Sequence, residues 1–577
     1  MRECYKVTFD FLIMLTLGIL FIQILLCNPY LYYYQDYKDN HYTFVYLAIL
    51  TLTLVCIKGL FFKNIIYKLT FLDLLLSILM LLIIFAGKRT VFFSEILCNF
   101  LVVCIIYLAV RTISLQNNIK LIFFTSVIFA AIQIILICYR MYDLRFYNTT
   151  ILAGSLGNTG LLAGLLLIVS PLLFYITNKK KHRFILVTLT LLIFLLIILT
   201  NSRAAIIAYL GTIHLILLTF KRYRRLLKMR KTFFTLISAL IILIVVCFSF
   251  FKIDSINGRF FIWDVCLKNY KSFIVNGIGY GEFPVQYRRW QGDYFKSNDN
   301  SYFSYLADLP KNAFNEPLQI LIELGTSGFI IFISIIIAVF RASTNFPVFL
   351  ETTLKISLLN VLLFSFFSYP FHSFPILIYS VSVLGCLASG LKNNYIMTNY
   401  TVRFSYVIML LIIPAMTYFI YQRSTSIATW NLLKKQQPKF ALIKYKELLS
   451  VLDYNSQFLL DYGKLLHRNS LYQESTDILL KTEKIYSNIE IPIFIASNYQ
   501  YLNDYVMAEK YLISANQYIP SKLLPKYMLL KLFIETRDTL NAINMAKHIS
   551  ETPLKVNSDS AFKMQLFAEN YLLHLKH

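Results

Sequence analysis

Residues 9–26 read FDFLIMLTLGILFIQILL, a run in which Asp10 is the single charged residue. Wound as a helix at about 1.5 Å per residue it reaches roughly 27 Å, close to the hydrocarbon thickness of a bilayer. No small-residue cleavage site follows it, so the run is expected to stay as a membrane anchor rather than leave as a signal peptide. The same signature recurs near 43–62, 69–87, 91–110, 119–138, 152–176, 184–200, 203–220, 232–251, 317–340, 354–369, 373–390 and 404–421. The expected fold is therefore all-α, a polytopic transmembrane bundle of about 12–13 helices.

Composition agrees. Of 577 residues, 58% are hydrophobic and 15% charged, which excludes one water-soluble globule and makes the lipid bilayer the main solvent. The net charge of +25 does not point to nucleic acid, because the basic residues sit in short clusters between apolar runs, where they set topology. With a cytoplasmic N-terminus, one side carries Lys63 and Lys68, Arg111 and Lys120, Lys179 to Lys181 with Arg183, the cluster KRYRRLLKMRK at 221–231, Arg341 and Lys355, and Lys392 and Arg403. The other side has few, chiefly Lys88, Arg89, Arg140 and Arg145. That register places the long loop 252–316 and everything after Tyr421 outside the cytoplasm. The expected division is a membrane domain over 1–425 and a soluble domain over 426–577. The nine cysteines form no C-x-x-C pair and lie mostly in apolar runs, so neither a disulfide framework nor a zinc site is expected.

The C-terminal part repeats. Ala441, Ser475, Ala508 and Ala542 are spaced by 34, 33 and 34 residues, and small residues at such intervals let paired helices approach closely. In IASNYQYLNDYVMAEKYLISANQYIP, Ala496, Ala508, Leu512, Ala515 and Pro520 occupy the small, small, large, small and helix-stopping positions of a tetratricopeptide repeat, which the segment resembles. An α-solenoid of this kind serves interaction rather than catalysis, and a generic helical hairpin bundle is the plainer alternative.

Chemistry is sought in the loop and at the helix ends beside it, since no Walker A, dinucleotide fingerprint, H-E-x-x-H or G-x-S-x-G stands in a fitting context. No cofactor or metal is expected. In NSRAAIIAYLG at 201–211, Arg203 opens a helix, where a guanidinium forms bidentate bonds to phosphate or else snorkels to the interface. GRFFIWDVCLKNYKSFIVNGIGYGEF at 258–283 carries Arg259 and Trp263, then Gly277, Gly279 and Gly281, the mark of a turn with close backbone approach. NAFNEPLQILIELGTSGFIIF at 312–332 offers Asn315 and Glu316 for handling an acceptor hydroxyl, with helix capping by Asn315 as the structural alternative. SYPFHSFP at 368–375 exposes His372, a candidate base or an ordinary loop histidine.

These segments, with GSLGNTGLLAGLLLIVSPL from Gly154, stand in the order of a known family. Between about Gly154 and Pro370 the chain resembles the O-antigen ligase/polymerase-like membrane glycosyltransferases, which include O-antigen ligases, polysaccharide polymerases and protein O-oligosaccharyltransferases. The resemblance implies transfer of a glycan from undecaprenyl diphosphate to a lipid A-core or protein acceptor on the periplasmic face of a bacterial inner membrane. It also implies that Arg203 and Arg259 engage the diphosphate, and it places the C-terminal repeats where they bind an acceptor or a protein partner. The chain departs from the family at Phe314-Asn315, where many members have His-Asn, and this leaves Glu316, His372 and Glu282 as alternatives for the base. A polymerase, a transporter or flippase, and a membrane-anchored scaffold are the competing functions. A transporter calls for internal symmetry and intramembrane charges, and a scaffold calls for fewer helices.

Overall fold

The structure, a computed structural model, describes residues 2–26, 41–62, 68–87, 95–113, 115–143, 154–177, 183–217, 253–297, 302–392, 395–396, 399–434, 438–555 and 558–574. The protein is all-α. Among the described residues six helices are long and apolar enough to cross a membrane, and six shorter apolar helices stand with them. They fall on twelve of the thirteen expected spans. The remaining one, 232–251, lies outside the described residues with the basic cluster 221–231 and with Lys63, Lys88, Arg89, Arg145 and Lys179 to Lys181.

The membrane helices are α1 (Arg2–Leu26), α2 (His41–Phe61), α3 (Phe71–Ala86), α4 (Glu95–Thr112), α5 (Leu115–Asp143), α6 (Thr159–Thr177), α7 (Arg183–Leu199) and α8 (Arg203–Leu217). After the loop helices α9 (Ile253–Lys268), α10 (Phe283–Ser297) and α11 (Tyr302–Leu306) come α12 (Glu316–Arg341), α13 (Val348–Ser365), α14 (Phe374–Ser389) and α15 (Asn399–Leu433). A lipid core leaves backbone polar groups no partner but their own helix, and the apolar runs comply. The buried charges of the bundle include two ion pairs. Lys58 bonds Asp10. Arg111 holds Asp73 at 2.8 Å, while Asp73 also closes a capping box with Thr70 at the start of α3. Polar ties fix the group that matters for function: Thr212 on α8 donates to Asn360 on α13 at 2.6 Å, and Asn360 donates to Leu167 O on α6 at 2.9 Å.

One span is broken. Gly325 sits inside α12 at φ 66°, ψ −166°, a region essentially reserved for glycine. The break frees carbonyls, and the glycine turn after α9 takes them. Ile278 N donates to Ile322 O at 2.9 Å, Gly279 N to Glu323 O at 3.1 Å, and Thr326 N returns a bond to Ile274 O at 3.0 Å. A Cβ on Gly325 would lie 2.3 Å from Val275 O, and one on Gly277 2.3 Å from Glu323 O. The two glycines are therefore one contact. The loop is otherwise a small helical body with its own core, in which Phe261, Val265 and Phe273 meet Phe283, Tyr287, Trp290 and Phe295.

The chain then continues through α16 (Pro438–Leu452), α17 (Ser456–Arg468), α18 (Tyr472–Glu483), α19 (Glu490–Tyr501), α20 (Tyr505–Tyr518), α21 (Leu523–Glu535), α22 (Thr539–Glu551) and α23 (Asp559–His574). The expected junction at 425/426 falls inside α15, which runs on to bury Trp430 edge-on against Phe458 at 5.8 Å. Successive helices pack as hairpins. Ser470, Asn503 and Arg537, the turn residues of three hairpins, all have φ near 60° and recur at the repeat spacing. At the crossings, Ala496, Ala508, Ala515, Ala542 and Ala546 are fully buried. Gly463 admits Leu479, whose side chain would lie 2.6 Å from a Cβ there.

Candidate functional site: two helix ends and two arginines

Asn158 follows a short 3-10 turn at 154–156, and its side chain accepts from Gly160 N at 2.8 Å and Leu161 N at 3.2 Å, capping α6. Arg203 is the first residue of α8, reached through Asn201 at φ 52°. Both N-termini open into one pocket of about 420 Å³. The loop closes it with Ser255, Arg259 and Trp263 of α9, and the end of α13 with Phe364, Phe367 and Ser368. No aspartate or glutamate is among the described residues that line it.

Arg259 is held from two sides. Its Nη1 donates to Phe367 O at 2.8 Å, and its guanidinium lies 5.3 Å over the Phe314 ring. Phe314, at φ 54°, is edge-on to Tyr369 at 5.3 Å. Trp263, one turn along α9, donates to Ala313 O at 2.7 Å. Burial and the charge of Arg203 pull the Arg259 pKa below its ordinary value, against an opposing pull from Tyr369. Two cations beside two positive helix ends, among the described residues without an ion-pair partner, form a site whose missing component is an anion. The planar forks of the arginines suit phosphate oxygens.

The five residues singled out from sequence do not share this pocket. Arg203 and Arg259 do. Asn315 serves as the N-cap of α12, its side-chain oxygen accepting from Leu318 N at 2.9 Å. Glu316 and His372, read as rivals for one role, are partners: His372 Nδ1 lies 3.1 Å from the Glu316 carboxylate, which also accepts from Phe371 N at 2.8 Å. Both are buried. Burial is the largest influence on His372 and lowers its pKa. The charge and hydrogen bond of Glu316, with the charge of Glu323, outweigh it and leave the imidazole above its usual value. Glu316 and His372 line a different space, an apolar crevice of about 230 Å³ bounded by α3, α12, α13 and α14. Residues 367–372 are wall to both: Phe367 and Ser368 face the arginines, Phe371 and His372 the crevice. Glu282, the third alternative for the base, is buried beside the glycine turn and lines neither space.

Two contributions escaped the sequence reading. The α6 N-terminus was signalled by Asn-Thr-Gly opening an apolar run, a capping pattern. Glu323, bonded to Gln319 at 2.9 Å and to the Gly281 amide, ties the turn to α12. Among the described residues no cluster of three or more His, Cys, Asp or Glu is placed to hold a metal ion.

Residues 188–333 match the family model for O-antigen ligases. The match runs from α7 into α12, so it takes in both arginines, the loop helices, Asn315 and Glu316, and leaves out His372 and the C-terminal helices. It supports an O-antigen ligase-like assignment and, at family level, membrane glycosyltransferase-like function. No curated protein matches the chain.

Proposed function

We propose that the protein takes a glycan from an undecaprenyl-diphosphate carrier and passes it to an acceptor hydroxyl, in the manner of an O-antigen ligase or protein O-oligosaccharyltransferase. The observation that carries the reading is the pocket in which Arg203, Arg259 and two helix N-termini converge with no carboxylate among its described lining residues. The acceptor oxygen bonds to the anomeric carbon as the carbon–oxygen bond to the diphosphate breaks, the acceptor's proton leaving with the diphosphate. Fixed donors aimed at the charge building on the departing diphosphate lower the barrier. In this reaction Arg203 and Arg259 hold the diphosphate and stabilise it as it leaves, without need of a metal ion. Glu316 and His372 anchor the 367–372 wall, whose Phe367 carbonyl orients Arg259, and Asn315 sets the start of α12 so that Glu316 meets that wall.

The pocket is read as opening on the periplasmic face of a bacterial inner membrane, the side assigned to the loop by the basic residues of the opposite loops. The helices after α15 are read as a tetratricopeptide-like array on that same face, a reading supported by the recurring left-handed turns and buried alanines. Its free surface is available to a protein or lipid A-core acceptor.

The test is direct. Purified protein is incubated with undecaprenyl-diphosphate glycan and candidate acceptors, and products are identified by mass spectrometry. Arg203→Ala and Arg259→Ala, in stably inserted protein, are expected each to lower turnover by about two to three orders of magnitude. Unchanged product yield in both would overturn the mechanism.

A further inference from the structure

Arg288 stands in VQYRRWQGDYFK at 285–296, a composition that suggests a solvated helix, yet its side chain is 1% exposed. Its Nη2 donates to Glu483 O at 2.9 Å and its Nη1 to Tyr486 O at 3.1 Å. The guanidinium also lies 3.7 Å from the Glu483 carboxylate and 5.0 Å over the Tyr518 ring. One turn along α10, Gln291 Nε2 donates to Tyr518 O at 2.5 Å and Asp308 O at 3.0 Å. Glu483 O and Tyr518 O are at the C-terminal ends of α18 and α20, with Tyr486 O just beyond α18, where helices leave carbonyls unpaired and carry partial negative charge. The loop helix thus caps two helices of the C-terminal array. Gly292 allows the approach, since a Cβ there would already lie 3.0 Å from the Tyr518 ring. Leu309 adds an apolar contact to Ile489, Ile493, Ala515 and Ile519.

From α10 the contact leads back to the arginine pocket by two routes. Tyr287 and Trp290 pack in the core shared with Phe261 and Val265 of α9, the helix that carries Arg259. At its other end α10 begins directly after the glycine turn stitched to the break in α12. A fully buried guanidinium bonded to fixed carbonyls is a stiff link, because releasing it strands a charge and two acceptors.

We infer that Arg288 is a positioning residue: the C-terminal helices act as a brace that, through Arg288 and α10, sets the placement of α9 and so of Arg259. The inference rests on the reading of Arg259 as a diphosphate ligand, and it gives the array a second task beside any partner it binds.

The full-length protein is compared in lipid nanodiscs as wild type, Arg288→Ala, Arg288→Lys and Glu483→Ala. Two quantities are read: amide hydrogen exchange across 253–268, and affinity for farnesyl diphosphate as a probe of the arginine pocket. Arg288→Ala is expected to speed exchange in 253–268 at least tenfold and to weaken farnesyl diphosphate at least tenfold. Exchange in α6 and α13 should stay as in wild type, and Arg288→Lys should recover part of both effects. Changes confined to α10 and α18–α20, or an unaltered affinity in Arg288→Ala, would overturn the brace. If wild type fails to bind the probe, the diphosphate reading falls, while exchange in 253–268 still decides the mechanical link. If Arg288→Ala does not insert, Arg288→Lys and Glu483→Ala decide, and wild-type exchange across 253–268 in both refutes it.

Discussion

Replacing Gly325 with alanine tests the arrangement from one atom. A side chain at φ 66°, ψ −166° costs about 1–3 kcal/mol in backbone strain alone. The added Cβ would lie 2.3 Å from Val275 O and 2.7 Å from Gly277 N, both backbone atoms that no rotamer change can move aside. The turn must therefore lift off α12, with loss of the Ile278–Ile322, Gly279–Glu323 and Thr326–Ile274 bonds. At about 1 kcal/mol net each, the total is about 4–6 kcal/mol, a factor of roughly 10³ to 10⁴ in the opening equilibrium of the turn. Gly211→Ala is the control, since nothing lies within 4 Å of its Cβ, and it should stay within about 1 kcal/mol of wild type. Hydrogen exchange at the 274–281 amides reads the local opening, thermal unfolding in detergent reads its global cost, and glycan transfer reads its consequence. Gly277→Ala should match Gly325→Ala, and the double variant should be little worse than either, because both break one contact. Exchange and melting in Gly325→Ala that match Gly211→Ala would show the stitched turn to be wrong.

Lys58→Met strands Asp10 inside the bundle and is expected to cost about 3–5 kcal/mol, much of it recovered in the Asp10→Leu/Lys58→Met double variant; equal melting of single variant and wild type would refute the pair. Because His372 has a raised pKa in the fold, its contribution to stability is complete below about 6.5, the unfolded value, and is lost as pH rises through the folded value above it. Melting temperature should therefore fall across that window in wild type and less steeply in Glu316→Gln, and identical slopes would count against the ion pair. Arg259→Lys keeps the charge but gives up the planar fork that bonds Phe367 O and stacks on Phe314, so turnover should fall at least tenfold; wild-type turnover would mean that charge alone suffices.

The spans were readable because lipid allows so few solutions: an apolar run that buries its backbone must be a helix, and twelve helices appear where runs were marked. The loop was less open to sequence reading. Its helices are short and rich in aromatics, and their partners are one another. Gly277 and Gly325 were each visible as glycines, but their partnership spans 48 positions and exists only as a steric fit. Glu316 and His372 were each visible as titratable groups, and seeing them as a pair required knowing that the turn 370–372 folds against the start of α12. Nothing in the sequence singles out Arg288, since adjacent Arg288 and Arg289 have the composition of a wet surface. Helix α10 is instead buried on several sides, at Phe283, Tyr287, Arg288, Trp290, Gln291 and Phe295, which marks an element held between two bodies.

The separation of the arginines from the Glu316–His372 pair has a physical reason. A carboxylate about 4 Å from Arg203 or Arg259 would gain several kcal/mol in a partly buried setting, and an incoming diphosphate would have to displace it. Keeping the acid–base pair behind the 367–372 wall leaves both guanidinium groups available, while the wall still transmits position, because Glu316 holds Phe371 N and Arg259 holds Phe367 O. The two groups should then separate in experiment. Arg203→Ala and Arg259→Ala should weaken binding of an isoprenyl diphosphate by at least tenfold at every pH. His372→Ala should change stability and its pH dependence while lowering that affinity less than either arginine variant, since Glu316 still holds Phe371 N and no charge enters or leaves the pocket. An affinity loss in His372→Ala as large as in Arg259→Ala would mean that the imidazole reaches the diphosphate itself, and the wall would then have to open during the reaction.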